Sequence, residues 1–268
     1  MPSTIIAIGD ELLAGFTLDT NSHWMAQRLR LLGYPLKRVT VVRDRQDDIV
    51  AQLRRDLADT EVEDVFCSGG LGPTPDDRTF EAVAAALGRE IVTWQPVLER
   101  IERRVRRMYE EGLVESPQVN EGSRRMARIP AGPDHVFGNR RGTAPGLLYR
   151  VDGRRLFILP GVPVELQGIF TEELETEFLI GRAGAVIREL RFFFAAESRF
   201  YPVLRELETS HPDVSVGSYP DVRTRELVIR FGGEEERRVL EAMEVMRQWA
   251  VPLGLTPVSL PPGGGGSG

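Results

Sequence analysis

Ser68-Gly69-Gly70-Leu71-Gly72-Pro73-Thr74-Pro75-Asp76-Asp77-Arg78-Thr79 lies between an apolar run, Val65-Phe66-Cys67, and a helical pattern that begins near Phe80. The stretch reads as strand, loop, helix. Glycines let backbone approach a ligand closely and take positive φ, and a loop that empties into a helix N-terminus offers free N–H groups to an anion. Phosphate is the expected guest. The adjacent carboxylates Asp76 and Asp77 repel a bare phosphate but suit a divalent cation that bridges to it, which points to a metal-dependent phosphate-ester or pyrophosphate site. A structural reading also accommodates the stretch: glycine and proline make a tight connection and the aspartates cap the next helix.

Working outward towards the N-terminus, Thr4-Ile5-Ile6-Ala7-Ile8 is a continuous β-branched run that fits a strand buried on both faces of a parallel sheet. Asp10 and Glu11 follow it. Leu36 to Val42 is a second strand with Asp44 just beyond, and Asp64 to Cys67 is the third, leading into the glycine loop. If the three strands are parallel, Asp10, Asp44 and Asp77 rise on one edge of the sheet, where open α/β sheets bind ligands. Helices are expected from about Asn21 to Gly33, from about Asp47, and from Phe80 to Gly88. Asp19-Thr20-Asn21 is rich in capping residues, His23 reads as solvent-facing and Trp24 as core.

Working towards the C-terminus, a charged helix from Gln95 to Glu111 alternates Arg and Glu and reads as a solvated or oligomer-facing surface. Another short helix containing Asn120 is expected between Pro117 and Arg128. Strands follow at His135–Phe137, Gly146–Arg150 and Arg155–Leu159, the last two joined by an Asp152-Gly153 hairpin. Two glycine and proline clusters, Asn139–Gly146 and Leu159–Glu165, bracket that hairpin. They offer Arg140, Arg141 and Thr143 to phosphate or ribose and Glu165 to a helix cap or a cation. Residues 171–185 read as a connection. Strand, helix, strand, strand, helix over 186–249 then make a small α+β unit, and residues 258–268 read as a disordered tail.

The composition narrows the chemistry. A chain of 268 residues, 41% hydrophobic, suits two domains, and a formal charge of −6 disfavours bulk electrostatic binding of nucleic acid. One cysteine, Cys67, excludes an intrachain disulfide, and His23, His135 and His211 make no metal-ligand spacing. A metal here is expected to be oxygen-bound and hard. Lys37 is the single lysine and follows no glycine loop, which removes Walker-type and Schiff-base chemistry. No apolar run is long enough to span a bilayer and no signal-peptide pattern opens the chain, so a cytoplasmic protein is expected.

Ile8-Gly9-Asp10-Glu11-Leu12-Leu13, Asp19-Thr20-Asn21, the glycine loop, Gly142-Thr143-Ala144-Pro145-Gly146 and Leu159-Pro160-Gly161-Val162-Pro163-Val164-Glu165 occur in the order in which they resemble the CinA-like family, within the molybdopterin-binding-domain superfamily. The resemblance covers about residues 4–175. It implies a three-layer α/β sandwich with a mainly parallel sheet over residues 1–175, followed by a small KH-like α+β domain over 184–252. It also implies a metal-dependent pyrophosphatase, a hydrolase of phosphoric anhydrides, acting on ADP-ribose or a related dinucleotide diphosphate. Asp77 and Asp44 fall on its catalytic acids. Magnesium, manganese or cobalt would be held among Asp77, Asp76, Asp44, Asp10, Glu11 and Glu165. The nucleotide and its phosphates would meet Gly69, Gly70, Leu71, Gly72, Thr74, Asn21, Asn139, Gly142 and Thr143. A homo-oligomer is expected, a dimer before others. Alternatives are a molybdopterin- or nucleotide-binding protein of molybdenum cofactor metabolism, a noncatalytic nucleotide sensor, and an RNA-binding module. Leu71 stands where the molybdenum-cofactor enzymes carry threonine, which favours the CinA-like branch. The chain ends before the amidase domain of longer family members could begin, so no amidase activity is expected. The small unit has no Gly-x-x-Gly loop between helices with which to clamp RNA.

Overall fold

The structure, a computed structural model, describes residues 1–180, 182, 184 and 186–260. It divides into two compact units, Met1–Arg182 and Ala183–Gly268.

In the first unit the chain runs β1 (Ser3–Ile8), α1 (Asp10–Leu13), α2 (Thr20–Leu31), β2 (Leu36–Val42), α3 (Gln46–Ala58), β3 (Asp64–Ser68), α4 (Thr79–Leu87), β4 (Ile91–Thr93) and α5 (Gln95–Glu110). It continues with α6 (Glu121–Arg125), β5 (Arg128–Pro130), β6 (His135–Phe137), β7 (Gly146–Val151), β8 (Arg154–Leu159) and α7 (Pro163–Ile169). The main sheet has the order β2-β1-β3-β8-β7-β6. β2, β1, β3 and β8 are mutually parallel, and β7 and β6 extend the sheet antiparallel.

Alternation along β1 and β3 explains the layers. Ile6, Val65 and Cys67 face one side with Ile49 and Leu53 of α3 and Phe80 and Val83 of α4. Ile5 and Phe66 face the other side with Met25 and Leu29 of α2 and Leu166 and Ile169 of α7. A strand covered on both faces has no solvent side, so it reads as an unbroken apolar run. The fold is the expected α/β sandwich with a mainly parallel sheet. Asp152 and Gly153 take φ of 48° and 81° in the β7–β8 hairpin, the two positive values that this turn requires. Cys67 is fully buried, and burial pushes its thiol up, away from reactivity.

Residues 171–178 correct the expected connection. α7 passes into a π-helical turn at Phe170–Leu174 and on to α8 (Glu175–Phe178), because Phe170 and Leu174 carry its apolar side into the core. The polar Thr-Glu-Glu and Glu-Thr-Glu runs hide those two anchors in the sequence.

In the second unit β9 (Val186–Phe193), α9 (Tyr201–Ser210), β10 (Ser215–Asp221), β11 (Glu226–Gly233), α10 (Glu236–Ala250) and β12 (Val258–Leu260) form an antiparallel sheet of order β10-β11-β9-β12. Leu190, Phe192, Ile229 and Phe231 pack on Val203 and Leu207 of α9 and Val239 and Met246 of α10. The element order is the expected one with a strand added. Residues 258–260, expected in a disordered tail, pair with β9, where Val258 stands opposite Arg191. The rest of that tail, 261–268, lies outside the described residues. Among the described residues no helix is long and apolar enough to cross a membrane.

Candidate functional site

β1, β2, β3 and β8 end together because they are parallel, and the loops leaving their carboxyl ends wall a cavity of about 1090 Å³. Glu11 enters it after β1, Asp44 after β2, Gly69 to Pro73 with Asp76 and Asp77 after β3, and Pro160 to Pro163 with Glu165 after β8. Thr143 comes from the Asn139–Gly146 loop.

Three contacts hold the glycine loop open. The Gly69 amide donates to the Leu159 carbonyl at 3.2 Å. Buried Thr79 pins the next two carbonyls, its hydroxyl donating to Gly69 O at 2.7 Å and its amide to Gly70 O at 3.2 Å. A side chain on Gly69, at φ 105°, would put its Cβ 2.2 Å from Ile8 O. The amides of Gly70, Leu71 and Gly72 meet no acceptor among the described residues, and all three residues line the cavity. Unpaired N–H groups in a concave wall are the polar arrangement that an oxyanion satisfies.

The carboxylates differ from one another. Oδ2 of Asp77 accepts from the amide and the hydroxyl of Thr74, at 2.8 and 2.5 Å, and closes the turn of the loop. Gly72 leaves room for it, since a Cβ there would stand 2.6 Å from Asp77 Oδ2. Thr74 thus acts through Asp77 and does not line the cavity. Oδ2 of Asp44 accepts from the Asp10 amide at 2.7 Å. Burial pushes the Asp44 carboxyl above its ordinary range, and the negative charges of Glu11, Asp10 and Asp76 add to the shift. Asp10 itself faces a neighbouring recess of about 890 Å³ that it shares with Asp44, Asp76 and Arg43. The six acids named as metal ligands do not assemble into a cation site: among the described residues no three His, Cys, Asp or Glu side chains gather closely enough to hold a metal ion.

Two of the expected nucleotide contacts are engaged within the protein, Asn139 through both ends of its amide and Asn21 through Nδ2, with Asn21 Oδ1 left without a partner among the described residues. Buried Asn139 accepts from the amides of Arg141 and Gly142 through Oδ1 and donates through Nδ2 to Ala144 O at 2.8 Å and Glu165 Oε2 at 2.5 Å. It shapes the loop that presents Thr143. Gly142 makes room for Glu165, whose carboxyl carbon would lie 1.8 Å from a Cβ there. Asn21 is not the cap of α2; Asp19 is, accepting from the Ser22 amide at 2.9 Å. Asn21 Nδ2 donates to Gly161 O at 2.7 Å, which ties α2 to the loop after β8, and it lines a separate recess of about 100 Å³. Arg140 and Arg141 turn to Glu172 and do not line the cavity.

The wall that sequence reasoning missed is α5. Ile101, Arg104, Val105 and Met108 face the cavity together with Met126, while Arg103 and Arg107 pair with Glu99 and Glu111 on the solvent side. The apolar positions 97, 101, 105 and 108 repeat at helical spacing, and that was the available signal within a segment read as solvated.

Residues 4–179 match the model of the probable molybdopterin binding domain. The chain belongs to that family. Its likeness extends to the CinA branch: a solved structure of a CinA protein of unknown function from Thermoplasma acidophilum is 32% identical, covers 67% of this chain and 98% of its own, and superposes with a TM-score of 0.57. A Pyrococcus furiosus protein, PF0476, is 35% identical over 92% of this chain and 96% of its own length. A relative named for competence-damage induction in Caldicellulosiruptor bescii is 35% identical over 91% of this chain and 58% of its own length. The protein is a CinA-like member of the molybdopterin-binding-domain family.

Proposed function

We propose that this CinA-like domain binds a phosphorylated heterocycle, a nucleotide or a pterin, in the cavity at the carboxyl edge of its sheet. The observation that carries the proposal is the row of unpaired amides at Gly70, Leu71 and Gly72 on the cavity wall. They suit a phosphate, and Ile101, Val105, Met108 and Met126 supply apolar surface for a ring. Calorimetric titration with AMP, ADP-ribose and a phosphorylated pterin tests it. Saturable binding of at least one is the expected result, and absence of binding by all three overturns it.

A second reading is hydrolysis of the diphosphate in ADP-ribose or a related dinucleotide. It is favoured by Glu11, Asp44, Asp76 and Asp77 standing on the same wall as the free amides. As they stand these carboxylates do not form a cation site, and the reading therefore needs direct chemistry. ADP-ribose, FAD and NAD, each incubated with magnesium, manganese or cobalt, should release AMP on chromatography. No AMP from any pair leaves the binding function alone, and release that persists in Asp77→Asn removes Asp77 from the reaction.

A further inference from the structure

The cavity wall carries six carboxylates, from Glu11, Asp44, Asp76, Asp77, Glu115 and Glu165, and among its described residues a single cation, Arg104. An anionic ligand entering such a cavity meets net repulsion from everything except the free amides and this guanidinium.

Arg104 is also held without being neutralised. It donates through Nη1 to the Gly142 carbonyl at 3.2 Å, and Arg100, one turn earlier on α5, donates through Nη2 to the Thr143 carbonyl at 3.1 Å. Neither has a carboxylate within 4 Å among the described residues, whereas Arg103 and Arg107 of the same helix do. Arg100 leaves its Nε buried without a partner, and burial lowers its pKa, with Arg103 and Arg104 adding to the shift against Glu173 and Glu165. Arg100, partly desolvated and kept from the available acids, is costly unless a ligand supplies counter-charge nearby, and the exposed guanidinium of Arg104 stands one turn on with no carboxylate partner among the described residues. One N–H engaged with a carbonyl ties Arg104 to the Gly142 backbone and leaves the rest of its donors for an oxyanion.

We propose that Arg104, braced by Arg100 through the Gly142–Thr143 backbone, is the residue that recognises the anionic group of the ligand and makes the cavity select phosphorylated over uncharged heterocycles. This rests on the cavity being the ligand site. Adenosine, AMP and ADP-ribose are titrated into wild type, Arg104→Gln, Arg104→Lys and the off-cavity control Arg107→Gln, at low and high salt.

Wild type should bind the phosphorylated probes in preference to adenosine. Arg104→Gln, which removes the charge, should lose about tenfold or more in affinity for AMP and ADP-ribose and most of their salt dependence, with adenosine binding unchanged. Arg104→Lys should recover part of the loss, and Arg107→Gln should match wild type. Unchanged affinity and salt dependence in Arg104→Gln overturns the role of Arg104 while leaving the cavity as the site. Equal loss for all three probes, adenosine included, overturns it in favour of a packing role. Failure of wild type to bind any of these probes or a phosphorylated pterin removes the site and this role together.

Discussion

The Asp10 amide donates to Oδ2 of Asp44 at 2.7 Å, joining residues 34 apart in sequence where β1 and β2 leave the sheet. The bond makes the two acids unequal. Asp44 is turned against the glycine loop, its Oδ1 lying 3.6 Å from where a Cβ on Gly70 would be, while Asp10 looks into the next recess.

Burial and the neighbouring acids outweigh the Asp10 amide, which favours the charged form, so Asp44 costs the fold stability at neutral pH. Its pKa is raised above the ordinary 3.8 in the folded state, so stability falls as pH rises from that value through the folded one, and the loss persists above it. Asp44→Asn keeps an acceptor for the Asp10 amide and removes the charge. Melting curves should show a higher Tm than wild type at pH 7 and no difference near pH 3; an equal or lower Tm at pH 7 contradicts this account.

Gly69→Ala should be among the most damaging single changes in the loop. The new methyl would meet a backbone carbonyl, Ile8 O, at 2.2 Å, and φ of 105° is strained for any side chain. A loss of at least about 2 kcal/mol in urea unfolding is expected, set by strain of this kind at a fixed backbone position. A change below about 0.5 kcal/mol, the range of an ordinary surface substitution, refutes it.

Far from the cavity, buried Asp64 at the start of β3 accepts from Arg155 at the start of β8 through both oxygens, at 2.5 and 2.7 Å. Asp64→Ala should cost about 3–5 kcal/mol, since it strands a partly buried guanidinium. The double variant Asp64→Leu with Arg155→Met should regain most of that loss. If it unfolds as easily as the single variant, the penalty is lost packing and not stranded charge.

Most strands and helices were legible from local pattern, with β4, β5, β12 and the helix through 171–178 among the exceptions. Val65-Phe66-Cys67 before three glycines, Asp152-Gly153 between two strands, and Gly88 at the left-handed end of α4 each encode their own backbone geometry. So was the edge of the sheet on which the site lies, since successive parallel strands must release their loops together. Which residues face the cavity was decided only by the tertiary structure. A side chain's direction depends on partners distant in sequence, and local pattern does not record them: Asn139 is consumed by Glu165, 26 residues on, and Asp44 by Asp10. Arg104, on a helix whose charges read as solvated, becomes the cation of the cavity because Gly142, 38 residues later, folds back against it.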